Sequence, residues 1–298
     1  MSDILLYMHE ENGLVSIIVP IYNTGAILKE TIQSVIDQTY PQFELIAIDD
    51  GSTDDTLKFL GEFHDPRIRV VSQTNQGMAQ TRNNGLRMAA GEFVLFLDHD
   101  DVLASDFLIE RVKCLNENPE VGFVGGPIRT FPDDRKEFWS AAINVEQEIL
   151  FFSPNHLTTP SSYLIRHRTL VDNQIVFNEK LNSTADKFLL LQLSKVSEGL
   201  CVAQGWLNYR VSSQGFSQNM TELLMKDNEK LLCEIKNNEL MPRVQRQKYK
   251  CMYYFMLAGG YKRVGRITKT LSYLMWSLLS HPLGFIQRIM SVNVGRQH

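Results

Sequence analysis

The sequence is poor in cysteine and contains no apolar run long enough to cross a bilayer. Its four cysteines are scattered and form no Cys-x-x-Cys pair, so neither a zinc cage nor a disulfide framework is expected. Residues 1–13 lack the basic-then-apolar pattern of a secretory signal. The apolar stretch Leu271–Leu279 is shorter than the roughly 20 residues of a transmembrane helix. We therefore expect a cytoplasmic protein without a transmembrane span.

Acidic residues are absent from the C-terminal end of the chain. No Asp or Glu follows Glu239, whereas ten Lys and Arg residues do. The whole chain has 30 basic and 34 acidic residues, so residues 1–239 carry a net charge of −14 and the remainder carries +10. The acidic part is a poor surface for nucleic acid, and we expect no nucleic-acid partner.

The basic end also contains apolar residues at helical spacing. Residues 261–270 carry four basic side chains beside Val264 and Ile267, and Trp276 follows. This pattern predicts a basic amphipathic helix, which is typical of segments that lie at a membrane surface. Two interpretations stay open: peripheral attachment to the cytoplasmic face of a membrane, or packing against the acidic part of the chain.

Apolar runs alternate with helical patterns in the first hundred residues, which predicts an α/β fold with a mostly parallel, Rossmann-like sheet flanked by helices. Pro20 is expected to end the first strand. A helical pattern takes over after residue 217, so we predict a domain of residues 1–220 and a basic, mainly helical C-terminal extension of residues 221–298. The predicted strands of the first domain are Val15–Val19, Phe43–Ile48, Ile68–Val71, Phe93–Leu97, Val121–Gly125 and Ser162–Arg166.

Polar clusters directly follow three of these strands. They are Pro20–Asn23, Asp49–Ser52 and Asp98–Asp101. Ligands of such sheets bind at the carboxyl ends of the strands, so the three clusters are expected to form one site.

These clusters resemble the donor-site motifs of family-2 glycosyltransferases, and the resemblance covers roughly residues 14–217. It implies the GT-A fold and an inverting enzyme that moves a sugar from a nucleotide-diphosphate donor to an acceptor hydroxyl, without a covalent sugar–enzyme intermediate. The acceptor would be a glycan or a lipid-linked molecule, in the biosynthesis of surface polysaccharide or another glycan.

Asp98 and Asp100 are the candidate metal ligands. Breaking the bond between sugar and diphosphate leaves negative charge that a divalent cation can neutralise, and Mg²⁺ and Mn²⁺ prefer oxygen ligands. Residues two apart in extended backbone point to the same side, so both carboxylates are expected to face one pocket. The resemblance implies that Asp100 binds the Mn²⁺ or Mg²⁺ directly, and that Asp98 contacts the ribose or joins the metal shell. A solvated acidic turn is the alternative.

The donor would be held by the first two clusters and by two arginines. The resemblance implies that Tyr22 packs on the base and that Asp50 contacts it. The alternatives are a plain buried tyrosine and a capping role for the second cluster. Arg82 would pair with the diphosphate or brace the carboxylates, which a guanidinium fits equally well. The full set of predicted donor-binding residues is Pro20, Tyr22, Asn23, Asp50, Ser52, Arg82, Asp98 and Arg210, the last as a phosphate contact.

An inverting transfer needs a general base that accepts the proton of the attacking hydroxyl. The resemblance assigns this role to Asp186, although Asn178 and Ala185 replace an aspartate and a glutamate of the family pattern. Capping of the following helix is the alternative for Asp186. Acceptor recognition is expected within residues 131–160, where Trp139, Phe151 and Phe152 offer stacking faces or fill the core.

Two other functions make different predictions. A sugar nucleotidyltransferase would have a glycine-rich, basic loop after the first strand, which Val19–Asn23 is not. A non-catalytic nucleotide-sugar-binding module would have lost Asp100 or Asp186, and both are present.

Overall fold

The computed structural model describes residues 11–132, 136–140, 156–211, 222–240 and 246–294. It divides into two compact units, one of Met1–Glu179 with Ala185–Ser212 and one of Lys180–Thr184 with Ser213–His298. The domain boundary near residue 220 stays a prediction, because residues 212–221 lie outside the described part.

The first unit is built on two sheets. The strands in the described residues are β1 Glu11–Ile21, β2 Phe43–Asp49, β3 Ile68–Ser72, β4 Gly91–Phe96, β5 Val102–Leu103, β6 Phe123–Gly125, β7 Pro127–Phe131, β8 Glu137–Ser140, β9 His156–Leu157, β10 Leu164–Arg166, β11 Gly199–Cys201 and β12 Leu207–Arg210. The larger sheet has the order β11-β6-β10-β4-β1-β2-β3, and the smaller one β5-β12-β7-β8-β9. In the larger sheet only β10 runs antiparallel to its neighbours. The predicted α/β fold with a mostly parallel sheet is therefore confirmed.

Helices of this unit alternate with the strands in the first hundred residues, as the sequence pattern predicts, and further helices follow. They are α1 Leu28–Ile36, α2 Thr56–Leu60, α3 Met78–Met88, α4 Phe107–Glu117, α5 His167–Asp172 and α6 Ala185–Val196. The apolar residues of β1 from Val15 onward and those of β4 are almost completely buried on both faces of the sheet. Strands covered on both faces are continuously apolar, and each large aliphatic side chain buried in this way contributes about 1.5–3 kcal/mol.

Pro20 lies inside β1, so the prediction that it ends the first strand is wrong. Strand β1 runs on to Ile21, and Pro20 is paired with Ile48. The main chain of Ile18 faces β4, since its carbonyl accepts the N–H of Leu97 at 2.9 Å. Pro20 lies two residues after Ile18, so its main chain also faces the side of β4. The pairing of β1 with β4, however, ends at Ile18. The missing N–H of proline therefore costs no hydrogen bond of the sheet.

The second unit is helical. Its helices in the described residues are α7 Glu222–Asn237, α8 Arg246–Arg263, α9 Ile267–Ser280 and α10 Pro282–Val294. Within the described ranges, none of the helices has both the length and the apolar character to span a bilayer.

The basic segment of residues 261–270 is not one helix, so this part of the sequence-based prediction is wrong. Helix α8 ends at Arg263, and α9 begins only at Ile267. Gly265 between them has φ = +73°, in the left-handed region that favours glycine and ends helices.

Gly85 of α3 sits closely against the large sheet. A Cβ atom there would lie 2.3 Å from Cγ2 of Ile18 and 3.0 Å from Cδ1 of Ile48. We expect Gly85→Ala to lower the free energy of unfolding by about 1–3 kcal/mol, because overpacking outweighs the helix-propensity gain of about 1 kcal/mol. Urea unfolding measures this. The matched control is Gly259→Ala in α8, where nothing lies within 4 Å of the added carbon. A Gly85→Ala protein as stable as the control would contradict the packing.

Candidate active site

The first two polar clusters are joined by hydrogen bonds. The N–H of Asn23 donates to Oγ of Ser52 at 3.0 Å, and Oδ1 of Asn23 accepts the N–H of Thr53 at 2.8 Å. Asn23 has φ = +51°, which turns the chain sharply at the end of β1. Pro20 lies just before this turn, and Tyr22 is 44% exposed. These bonds hold the two loops together beside an exposed aromatic face.

Asp50 is buried and its carboxylate is bonded within the protein. It accepts hydrogen bonds of 2.8 Å each from Nε2 of Gln73 and from the N–H groups of Gln76 and Gly77. It thereby fixes the loop that leads into α3. The sequence pattern did not indicate this role because the three donors lie more than twenty residues further along the chain. A contact of Asp50 with the base stays a prediction.

The third cluster is a tight turn rather than extended backbone. The N–H of Asp101 donates to the carbonyl of Asp98 at 3.2 Å. The expectation that residues two apart share a side therefore does not apply here. Burial raises the pKa of Asp100, and the negative charge of Asp98 raises it further, while His99 lowers it. The turn thus concentrates negative charge at the carboxyl end of β4.

Asp101 is a residue of the site for which the sequence pattern predicted no role. It is completely buried, and its Oδ1 accepts the N–H of Arg210 at 3.1 Å. Its Oδ2 has no hydrogen-bond partner within the described part of the chain. Burial and the charges of Asp98 and Asp100 raise the pKa of Asp101 well above its usual range. A third acidic residue directly after Asp98-x-Asp100 was the only signal in the sequence.

Arg82 pairs with Asp98. Helix α3 carries the arginine, and its guanidinium lies 5.0 Å from the ring centre of Phe177. The side chain of Arg82 is 8% exposed and that of Asp98 23% exposed. Of the two roles predicted for Arg82, this geometry corresponds to bracing of the carboxylates, and the diphosphate contact stays a proposal.

Arg210 is bonded to the backbone of the acidic turn. Its Nε donates to the carbonyl of Asp100 at 2.9 Å, and its terminal nitrogen pairs with Glu30 at 2.6 Å. The guanidinium also lies 4.4 Å from the ring centre of Phe131. These contacts fix the backbone of the turn, and a phosphate contact of Arg210 stays a prediction.

Asp186 lies close to this cluster, in the first turn of α6. Burial raises its pKa to about 6, Lys187 and Arg82 lower it, and Asp98 raises it. The interactions with Arg82 and Asp98 bring the predicted base to the same site as the acidic turn. Oδ1 of Asp186 also accepts the adjacent N–H of Lys187 at 2.7 Å, as a residue in the first turn of a helix can.

The residues of the turn fit a hard divalent cation. Within the described ranges, no group of three or more His, Cys, Asp or Glu side chains is arranged to hold a metal. Mg²⁺ bound with a nucleotide typically takes only one or two protein carboxylates and completes its shell with phosphate oxygens and water. Asp98 and Asp100 are both partly exposed and supply such carboxylates. Burial is the main cause of the raised pKa of Asp100, the charge of Asp98 adds to it, and a bound cation would favour the ionised carboxylate.

The family model of glycosyl transferase family 2 matches residues 16–173, which is more than half of the chain. The chain belongs to glycosyl transferase family 2. Several curated glycosyltransferases are 38–42% identical to this family-2 protein over 98–108 residues, which is 32–35% of this chain and 15–43% of the relative's own length.

One relative matches along nearly its whole length. The "GalNAc(5)-diNAcBac-PP-undecaprenol beta-1,3-glucosyltransferase" of Campylobacter jejuni is 29% identical over 278 residues, covering 89% of this family-2 protein and 88% of the relative.

Solved structures share the fold at low sequence identity. S. aureus TarS 1–349 in complex with UDP-GlcNAc superimposes with a TM-score of 0.71 and 20% identity, over 89% of this chain and 81% of that one. The mannosyltransferase PcManGT of Pyrobaculum calidifontis, in complex with GDP-Man and Mn²⁺, gives a TM-score of 0.62 and 17% identity, over 95% and 80%. The predicted GT-A fold with C-terminal helices is confirmed for this family-2 protein.

Proposed function

We propose that this chain is an inverting glycosyltransferase that moves a sugar from a nucleotide-diphosphate donor to an acceptor hydroxyl, in the biosynthesis of a surface polysaccharide or another glycan. The observation that carries the proposal is the carboxylate of Asp186, which interacts with Arg82 and Asp98 of the site and whose pKa is raised to about 6 by burial. A poised carboxylate beside a cluster of acidic residues at the end of a parallel strand fits a base acting opposite a diphosphate site.

In this reaction Asp186 accepts the proton of the acceptor hydroxyl as its oxygen attacks the anomeric carbon. The bond between that carbon and the diphosphate oxygen breaks in the same step, and the nucleoside diphosphate leaves. Attack occurs from the side opposite the leaving group, so the anomeric configuration inverts. A pKa of about 6 makes Asp186 a stronger base than an ordinary aspartate, yet leaves it ionised at neutral pH.

Asp98 and Asp100 would hold Mn²⁺ or Mg²⁺. When bound, such a cation neutralises the charge that develops on the leaving diphosphate. Arg82 keeps the carboxylate of Asp98 in position, and Arg210 holds the carbonyl of Asp100. The Mn²⁺ in the PcManGT complex supports this cofactor for a protein of the same fold.

The loops of Pro20–Asn23 and Asp50–Ser52 would bind the nucleoside, with the ring of Tyr22 against the base. Asn23 and Ser52 contribute by holding the loops in place. Arg82 and Arg210 are the cationic side chains proposed nearest the diphosphate. Residues 1–220 would form this catalytic domain, with residues 221–298 as its extension.

Replacing Tyr22 by alanine is expected to raise KM for the donor about 2–10-fold with a smaller effect on kcat, since stacking contributes about 0.5–1.5 kcal/mol to binding. Initial rates at varied donor concentration measure this. Tyr22→Phe keeps the ring and should behave like the wild type. An unchanged KM in Tyr22→Ala would exclude stacking on the donor.

The acceptor proposed is a glycan or a lipid-linked molecule. The relative from Campylobacter jejuni supports the second choice, because its name specifies an acceptor linked through diphosphate to undecaprenol. Trp139 is 42% exposed and could stack on a sugar, whereas Phe151 and Phe152 lie outside the described residues. A lipid-linked acceptor would be met at the cytoplasmic face of a membrane, which the basic C-terminal extension would contact.

Incubation with Mn²⁺ and a panel of UDP- and GDP-sugars tests the function. We expect release of nucleoside diphosphate and, with acceptor, a product of inverted configuration by NMR. A sugar nucleotidyltransferase would instead release pyrophosphate when the protein is given a nucleoside triphosphate and a sugar 1-phosphate, so this pair is tested in parallel. Donor binding without turnover on any acceptor supplied would favour a non-catalytic binding module.

A further inference from the structure

Helix α9 exposes one continuous apolar face. Ile267, Leu271, Met275 and Leu279 follow one another at intervals of four residues and are 72%, 61%, 52% and 66% exposed. In a helix this spacing places side chains on one side. Trp276 and Leu278 widen the face, and Thr268 and Ser272 are the other exposed residues of α9, all of which is described. None of these exposed residues of α9 is charged.

Three polar side chains of α9 bond within its own unit, although the side chain of Lys269 is also 43% exposed. Nζ of Lys269 pairs with Oε1 of Glu229 at 2.9 Å, and the hydroxyl of Tyr273 donates to the same oxygen at 2.7 Å. Oγ of Ser277, which is fully buried, donates to the carbonyl of Cys251 at 2.7 Å. A surface helix in water has the opposite arrangement, with apolar residues inward and charged residues outward.

Helix α10 continues the exposed apolar surface. Leu283, Ile286 and Ile289 are 71%, 51% and 42% exposed at intervals of three residues. Two consecutive helices thus present large apolar side chains together, which in a protein marks a surface that meets an apolar partner.

The charge around this surface identifies the partner as anionic. Lys262 and Arg263 are exposed at the end of α8, and Arg266, immediately before α9, is 58% exposed while pairing with Glu222. The sequence after Glu239 contains ten basic residues and no acidic one. Two copies of this surface would repel each other, which disfavours a dimer through it. Anionic lipid headgroups above an acyl layer satisfy both the charge and the apolar face.

We propose that the outward faces of α9 and α10 lie in the interfacial layer of an anionic lipid bilayer. Helix α9 has 14 residues and is about 21 Å long, shorter than the hydrocarbon core of about 30 Å, so it lies in the membrane plane. Membrane binding by this surface does not depend on the transfer reaction. Its benefit, which is to keep the enzyme near a lipid-linked acceptor, rests on the proposed function.

Vesicle flotation of the full chain tests the surface. We expect it to float with phosphatidylcholine vesicles containing one quarter phosphatidylglycerol, and more weakly with pure phosphatidylcholine. A variant with Leu271→Gln, Met275→Gln and Leu279→Gln should lose about tenfold or more in partitioning, because three side chains no longer bury apolar area. The control carries Leu57→Gln and Ile109→Gln, which are 43% and 41% exposed in the first unit, and should float like the wild type.

Three results of these flotation experiments would overturn the membrane proposal. A wild type that stays with the soluble fraction, or a triple variant that floats equally well, overturns the proposal. A triple variant that changes oligomeric state at unchanged flotation assigns the surface to another copy or a protein partner, and also overturns it. The triple variant should unfold at the wild-type temperature and keep its turnover of a soluble acceptor. Flotation that follows the proposal in a protein without any transferase activity would disprove the proposed function alone.

Discussion

Replacing Asp186 by asparagine is expected to lower kcat about 10²–10⁴-fold, the contribution typical of a general base. Asparagine keeps the size of the side chain and its bond to the N–H of Lys187 but cannot accept the proton of the acceptor. Donor affinity should change little, because the proposed base faces the acceptor. Steady-state turnover and calorimetric donor binding, measured on the same preparation, separate the two effects.

The Asp186→Asn protein should also fold normally. Burial raises the folded pKa of Asp186 from 3.8 to about 6, so ionisation of this group weakens the folded state. The stability that it contributes is complete below about pH 4 and is lost as the pH rises through about 6. A neutral asparagine avoids this loss, and the variant should unfold at or above the wild-type temperature at pH 7. Asp172→Asn, at an exposed position of α5, is the control. A stable Asp186→Asn enzyme with wild-type kcat would exclude the residue as the base.

Replacing Asp100 by alanine is expected to lower turnover about 10³-fold, because a catalytic cation stabilises developing charge by several kcal/mol. A chelator should reduce the turnover of the wild type to a similar rate. Added Mn²⁺ should then restore the turnover of the wild type but not that of Asp100→Ala. Asp100→Asn, which keeps the shape and removes the charge, should need a higher Mn²⁺ concentration than the wild type.

The control for this experiment is Asp172→Ala, which removes an exposed aspartate at the end of α5 and leaves the acidic turn unchanged. It should keep both its turnover and its response to Mn²⁺. If the chelated wild type remained fully active while Asp100→Ala lost activity, the carboxylate would act without a metal, and the assignment of Asp100 as a ligand would fail.

The central strands β1, β2 and β4 were predictable from sequence because they are buried on both faces. Uninterrupted apolar runs such as Phe93–Leu97 are typical of strands in that environment, and the polar residues that end them meet at one sheet edge by topology alone. The prediction for Pro20 was wrong because the effect of a proline depends on which neighbouring strand its nitrogen faces. Pro20 faces the side of β4, and it is tolerated because β4 stops pairing with β1 at Ile18, which no local pattern shows.

The contacts of the site were harder to predict than its members. Asp50 is bonded to the loop before α3 and Arg210 to the carbonyl of Asp100, across separations that leave no periodic signal. The residue types of Asp98–Asp101, three aspartates and one histidine, do not predict that this segment forms a turn. The apolar residues of α9 are visible in the sequence. Their outward direction is not, and it follows from their exposure together with the inward bonds of Lys269, Tyr273 and Ser277.

The pH dependence of kcat/KM tests most directly whether one carboxylate beside the acidic turn removes the acceptor proton. Because Asp186 must be ionised, kcat/KM should rise with pH through about 6 and level off toward about pH 8. In Asp186→Glu, any residual activity should show this acidic limb at a different pH. A profile that is flat across this range in the wild type, or a limb near pH 6 that persists unchanged in Asp186→Asn, would contradict the account.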